Sequence, residues 1–329
     1  MGTVNDPAAS IKTRAIDVRG LRKSYKDVEA VSGIDLHVDT GEVFALLGPN
    51  GAGKTTTVEI LEGYRKRDAG DVDVLGHDPQ RAERTLKERI GIVLQETSVD
   101  PFFTVREVVE LYGGYYPNPL PVDEVIEVVG LKEKRDERIK RLSGGQQRRL
   151  DVALGLAGNP ELLFLDEPTT GFDPSARRNA WQMISNLQAL GKTVLLTTHY
   201  MDEAQNLADR VAVIVKGRIV AEGPPGAIGG RDVAGTRISF SLPSNSPQLA
   251  PELMQSFTLA DDKLHAETDQ PTRLLHELTG WALHHHLDLL SLDVSRPTLE
   301  DVYLRLTGGD EASQPAETAG EKPSRGRRR

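Results

Sequence analysis

The chain contains no cysteine. That excludes a disulfide framework and a thiolate metal site, and it fits a reducing compartment. No apolar run approaches the ~18–20 residues that a bilayer span requires. The first ten residues lack the apolar segment of a secretion signal. Positive charge is not in surplus: 40 Lys and Arg face 49 Asp and Glu, for a net charge of −9. This balance argues against a general nucleic-acid surface. These absences predict a soluble cytoplasmic protein whose membrane role, if it has one, runs through a partner. At 329 residues the chain has room for one large domain and a small one.

What the chain does carry begins with Gly48-Pro49-Asn50-Gly51-Ala52-Gly53-Lys54-Thr55, a full match to G-x-x-x-x-G-K-[ST]. Val43-Phe44-Ala45-Leu46-Leu47 precedes it, a short apolar run of the kind that forms a buried parallel strand. Thr55 to Glu62, with Thr56 in its first turn, reads as a helix. Strand, glycine loop and helix N-terminus together make an anion cradle, because backbone N–H groups turn inward and the helix dipole adds partial positive charge. Lys54 suits the β- and γ-phosphates, and the Thr55 hydroxyl suits Mg²⁺.

Other residues fall in order around that loop. Residues 15–19 alternate like an edge strand, 31–38 alternate again, and 68–71 read as a turn before a strand at 72–76. Tyr25 offers a flat ring for stacking a purine, or is an ordinary core or surface tyrosine. Residues 89–94 form a strand that ends at Gln95, placed to reach a metal or water. From about 98 to 158 the pattern turns helical, with a capping box at Thr104-Val105-Arg106-Glu107. This insert holds Phe102, Phe103, Tyr112, Tyr115 and Tyr116, which form either its core or a docking surface. Ser143-Gly144-Gly145-Gln146 opens a further helix, with Ser143 as N-cap. That is a second helix N-terminus able to hold phosphate. Having no lysine, it can contact a γ-phosphate but cannot cradle a triphosphate.

Leu162-Leu163-Phe164-Leu165 is a buried strand ending in Asp166-Glu167. Asp166 suits Mg²⁺, and Glu167 suits an attacking water. Asp173 starts the next helix. His199 ends a β-rich run over 193–198, where it can sense a γ-phosphate. Residues 210–215 and 217–223 read as a hairpin, and Gly229-Gly230 as a linker. From about 235 a small α/β unit follows, with a last helix after Ser295-Arg296-Pro297-Thr298. His284-His285-His286 cannot all face one ion on a helix. The division expected is a flexible N-terminus over 1–14, a nucleotide domain over 15–228, an accessory domain over 235–308 and a disordered tail over 309–329.

The series, taken in order, resembles the ATP-binding subunit of ABC transporters. Leu142-Ser143-Gly144-Gly145-Gln146 matches that superfamily's signature, and Leu162 to Glu167 its second nucleotide motif. The resemblance covers roughly residues 15–225. It implies an α/β fold of the P-loop NTPase (RecA-like) kind, with an antiparallel β layer and a helical subdomain. It implies ATP and Mg²⁺, the ion held by Thr55, Gln95 and Asp166. It implies head-to-tail pairing with a second ATP-binding subunit, a copy of this chain or a paralogue, so that Ser143, Gly144 and Gly145 act in trans. Asp173 would link the two sites, His199 would contact the γ-phosphate, and Tyr25 would stack on adenine. Phe172 stands where many relatives carry Leu. Arg296-Pro297-Thr298-Leu299-Glu300-Asp301-Val302-Tyr303-Leu304-Arg305-Leu306-Thr307-Gly308 resembles the closing segment of ATPase subunits in the drug and antibiotic export branch, of the daunorubicin-resistance type, which serve a separate type 2 permease. The reading is therefore an ATPase motor at the cytoplasmic face of a membrane. It drives export of a drug-like or lipophilic compound and does not act on nucleic acid. The alternatives are an exporter of lipid or polysaccharide and a soluble ATPase of ribosomes or DNA. The single cassette and the absence of a long coiled coil between Lys54 and Asp166 argue against the soluble reading.

Overall fold

The computed structural model describes residues 13–81, 83–93, 99–228, 235–243, 246–260, 262–295 and 299–307. Gln95, Arg296, Pro297, Thr298, the Gly229-Gly230 linker and the expected tail lie outside the described residues.

Two long strands, β1 (Arg14–Tyr25) and β2 (Val28–Asp39), pair antiparallel. β3 (Val43–Leu47), α1 (Lys54–Leu61) and β4 (Ala69–Val74) follow. β4 adds to the far side of β1, giving the order β2-β1-β4. The strand at 15–19 is thus central and not an edge. Alternation reports which face of a strand is buried and says nothing of its lateral neighbours. Ala69 and Asp71, expected in a turn, already pair with Arg22 and Arg19.

α2 (Arg84–Lys87) and β5 (Ile90–Val93) lead to the helical insert: α3 (Val105–Gly113), α4 (Val122–Val128) and α5 (Gly144–Leu156). β6 (Leu162–Asp166), α6 (Pro174–Ala189), β7 (Thr193–Thr198), α7 (Met201–Leu207), β8 (Arg210–Val215) and β9 (Arg218–Gly223) complete the domain. The main sheet runs β5-β6-β7-β3-β8-β9, parallel except for the β8–β9 hairpin. Its parallel strands are buried nearly throughout because both faces are covered, whereas the edge strand β9 is half-exposed. Val43, Ala45, Leu47, Leu163, Leu165, Val194 and Leu196 face the insert, α6 and α7. Phe44, Leu46, Leu162, Phe164 and Leu195 face α1 and the antiparallel layer.

The insert's core is aliphatic, built from Val105, Val108, Val109, Val125, Ile126 and Val129. Its aromatics are not that core: Phe102 is 63% and Tyr115 71% exposed, and Phe103 is exposed as well. Tyr112 packs partly against the core cluster, and the half-buried Tyr116 ring lies tight over Gly158.

A third sheet, β11-β12-β10-β13, comprises β10 (Thr236–Ser241), β11 (Thr258–Ala260), β12 (Lys263–Thr268) and β13 (Leu290–Ser295). α8 (Pro251–Met254) and α9 (Pro271–His284) accompany it. Ile238, Phe240, Leu264, Leu274 and Leu278 form a separate small core there. The final helix, α10 (Leu299–Thr307), behaves differently. It lies against α7, and Leu299 and Tyr303 join the core of the first domain.

Candidate active site

Parallel register brings the site together. Leu47 pairs with Thr198, and Asp166 with Thr197. The carboxyl ends of β3, β6 and β7 therefore reach one edge of the sheet, where ligands of open α/β sheets collect.

After β3 the chain wraps into the glycine loop. Gly51 and Gly53 adopt φ of 78° and 104°, conformations in which side chains are strained. A Cβ on Gly53 would meet the Ala30 carbonyl oxygen at 2.3 Å, and one on Gly48 would meet that of Ile214 at 2.3 Å. The loop closes on itself through Lys54. Its Nζ donates to the Gly48 and Pro49 carbonyls at 2.7 and 3.1 Å and lies 3.7 Å from Glu167. Burial lowers the Lys54 pKa, and the charges of Glu167 and Asp166 oppose that shift. Thr55 and Thr56 stand in the first turn of α1, with Thr55 exposed.

At the end of β6 the Thr197 hydroxyl ties the Asp166 carboxylate to the Glu167 backbone. It donates to Asp166 at 2.5 Å and accepts the Glu167 N–H at 3.0 Å. Glu167 takes φ 45°, a turn that aims its side chain back at the loop. Its Oε1 lies 3.3 Å from His199 Nδ1, and its Oε2 accepts from Thr170 at 3.1 Å. The hydrogen bond with His199 holds the Glu167 carboxyl below the usual range, against the opposing effect of burial, with Lys54 assisting. Buried Arg148 donates to the Asp166 carbonyl at 2.9 Å and fixes the strand end from behind.

A cleft of 720 Å³ opens between α5 and the loop after β6. Gly144, Gly145, Glu167, Gly171, Phe172 and Asp173 are among its lining residues. Ser143 and Gln146 make the reciprocal capping box of α5, and Asp173 caps α6 through the Ser175 and Ala176 N–H groups. Tyr25 is exposed at the tip of β1. Lys23 and Arg65 each lie 5.5 Å from its ring centroid.

Residues 31–170 match the family model described as ABC transporter, and residues 236–298 match that of the ABC transporter domain-containing protein-like C-terminal domain. The daunorubicin/doxorubicin resistance ATP-binding protein of Streptomyces peucetius is 39% identical over 322 residues, covering 94% of this chain and 97% of that protein. This chain belongs to the ATP-binding subunits of ABC transporters. The Nod factor export ATP-binding protein I of Rhizobium sp. (strain N33) is 40% identical, with 89% and 97% covered. Among solved structures, the ADP conformation of an ABC transporter cassette aligns with a TM-score of 0.58 at 26% identity, covering 64% of this chain and 91% of that one. A dimeric, post-hydrolysis cassette bound to ADP and Pi aligns with a TM-score of 0.56 at 25% identity, with 64% and 98% covered. The ATP-binding subunit is accordingly an ATPase with the P-loop NTPase fold. Among its described residues no helix is long and apolar enough to cross a membrane.

Within this ABC subunit, Lys54, Asp166, Glu167 and His199 stand together. Ser143, Gly144, Gly145 and Asp173 line or cap the adjoining cleft. Three supporting residues escaped sequence reasoning. Thr197 and Thr170 carried only the weak signal of a polar residue beside a motif. Arg148 carried none, since its role depends on how α5 packs behind β6. Glu62, at the end of α1, is buried, and burial pushes its pKa up to about 8, with Asp166 adding to the rise.

Proposed function

We propose that this subunit is the motor of an exporter. It works as a head-to-tail homodimer on the cytoplasmic face of a membrane, coupled to a separately encoded permease. The observation that carries the pairing is the openness of Gly144 and Gly145. Neither has a positive φ, an added Cβ on Gly144 meets nothing within 4 Å, and one on Gly145 meets only Ala176 at 3.8 Å. Glycine disfavours a helix relative to alanine by roughly 1 kcal/mol. Nothing among the described residues requires that cost here, in contrast to Gly48 and Gly53. A partner's triphosphate approaching the α5 N-terminus would require it.

In this reading Lys54 leaves the Gly48 and Pro49 carbonyls for the β- and γ-phosphates, and the loop N–H groups hold the remaining oxygens. Tyr25 stacks on the base. Thr55, Asp166 and Gln95 hold Mg²⁺, which neutralises phosphate charge when bound. The exposed Thr55 hydroxyl and the Asp166 carboxylate suit such a hard, oxygen-seeking ion. Once Lys54 and His199 turn to phosphate, Glu167 loses the contacts that keep its pKa low. It then becomes a better base and takes a proton from the attacking water. His199 faces the γ-phosphate, and Asp173 relays between the paired sites. ATP favours the closed pair and so shifts the population toward it. The exposed Phe102, Phe103 and Tyr115 suit a permease surface.

The cargo class follows from the relatives named for daunorubicin/doxorubicin resistance and Nod factor export. It is a drug-like or lipophilic compound. The test of pairing is Glu167→Gln with ATP and Mg²⁺, followed by light scattering. A stable dimer is expected, and a monomer at high protein concentration contradicts the model. Co-purification of an integral-membrane protein from detergent extracts tests coupling to a permease.

A further inference from the structure

Glu203 lies in the first turn of α7, four residues after His199, and is 0% exposed. Neither of its carboxyl oxygens completes a hydrogen bond of ordinary geometry. Burial favours its neutral form, while the hydroxyls of Thr198 and Thr169 lie close enough to favour the charged one. Both threonines are themselves buried. Thr169 Oγ1 has no partner of ordinary geometry either. Thr198 Oγ1 accepts the Tyr200 N–H at 2.9 Å, which leaves its proton to point elsewhere. Arg177 on α6 also carries an unpaired buried Nε, while its Nη1 is engaged by Asp202.

The two threonines belong to different parts of the machinery. Thr169 is on the turn between Glu167 and Asp173. Thr198 ends β7 immediately before His199. A buried carboxyl with incomplete hydrogen bonds is costly. Here it faces hydroxyls from both the turn after β6 and the end of β7.

We propose that Glu203 is a positioning residue for hydrolysis, accepting the Thr169 and Thr198 hydroxyls on closure and so moving the Asp173 loop and His199 as one. The proposal rests on the role assigned to His199 above. It makes Glu203 a link between γ-phosphate contact in one site and the loop that faces the other.

The test uses the full chain and compares Glu203→Gln, Glu203→Leu, Thr169→Val and His199→Ala in ATP turnover, ATP binding and thermal melting. Glu203→Gln keeps an acceptor and should stay within about threefold of wild type, whereas Glu203→Leu should lose about tenfold or more in kcat with KM and ATP binding little changed. Thr169→Val should fall in the same direction. Combining Glu203→Leu with His199→Ala should cost no more than His199→Ala alone. Wild-type kcat in Glu203→Leu, or a loss that merely follows a drop in Tm and ATP binding, overturns the proposal. So does failure of Glu203→Gln to restore turnover. If His199→Ala turns over normally, the role of His199 itself falls. If only His199→Ala is impaired, the site assignment stands and Glu203 is merely structural.

Discussion

Lys54 Nζ stands 3.7 Å from Glu167 Oε1, with the lysine only 5% exposed. The lysine that we propose for phosphate is thus held by the carboxylate that we propose for water and by the loop's own Gly48 and Pro49 carbonyls. Each partner keeps the other ionised. Glu167 opposes the fall of the Lys54 pKa, and Lys54 helps to keep Glu167 low. On the proposed reading phosphate entry breaks this pair, which would make binding and activation of the base one event.

Lys54→Ala should therefore do more than weaken affinity. Turnover should drop by about two orders of magnitude or more, since a charge aimed at the transferred phosphoryl group is removed. Two carbonyls lose a buried donor, at a cost of about 1–3 kcal/mol of stability. Steady-state hydrolysis together with urea unfolding measures both. Normal hydrolysis by this variant would refute the assignment of the loop.

Much of this site is visible in the sequence, for physical reasons. Val43–Leu47 reads as a two-sided strand because every residue is buried. Ser143 reads as a cap because its hydroxyl serves the Gln146 N–H three residues on. What escapes the sequence depends on register or on packing between distant segments. Thr197 reaches the Asp166 carboxylate and the Glu167 N–H only because β6 and β7 pair as they do. The central place of β1 depends on β4 arriving from beyond α1. For Phe102 and Tyr115 the sequence leaves core and surface both open, because residue type alone does not decide between them; both are exposed, and valines fill the insert instead. The docking of Leu299 and Tyr303 against the first domain leaves no local signal, since an apolar helical face does not name its partner.

Gly144→Ala and Gly145→Ala separate stability from function. The free space at both positions predicts unchanged or higher stability, by up to about 1 kcal/mol, because alanine is the better helix former. Activity should fall by about tenfold or more, because a methyl group then stands where the partner's phosphate must come. Melting curves and turnover on the same preparations decide the matter. If both alanine variants hydrolyse ATP at the wild-type rate, the trans role of this helix end is wrong.

Glu62 supplies a pH dependence of the opposite direction from most carboxylates. Its native pKa is pushed up to about 8, from an ordinary value of 4.5, by burial first and by Asp166 second. Between those values the folded chain holds a proton that the unfolded chain has released. Stability from this group is therefore lost as pH rises from about 4.5 to about 8, by a few kcal/mol at most. Glu62→Gln carries no charge at any pH. It should match wild type near pH 4.5 and exceed it in stability at pH 8, where wild type has lost the contribution. Denaturant unfolding of both proteins across this range measures the gap. Asp166→Asn should narrow it, since the second cause of the raised pKa is then gone. Parallel pH curves for wild type and Glu62→Gln would show that Glu62 is ionised and solvated in the folded chain, contrary to its buried position at the end of α1.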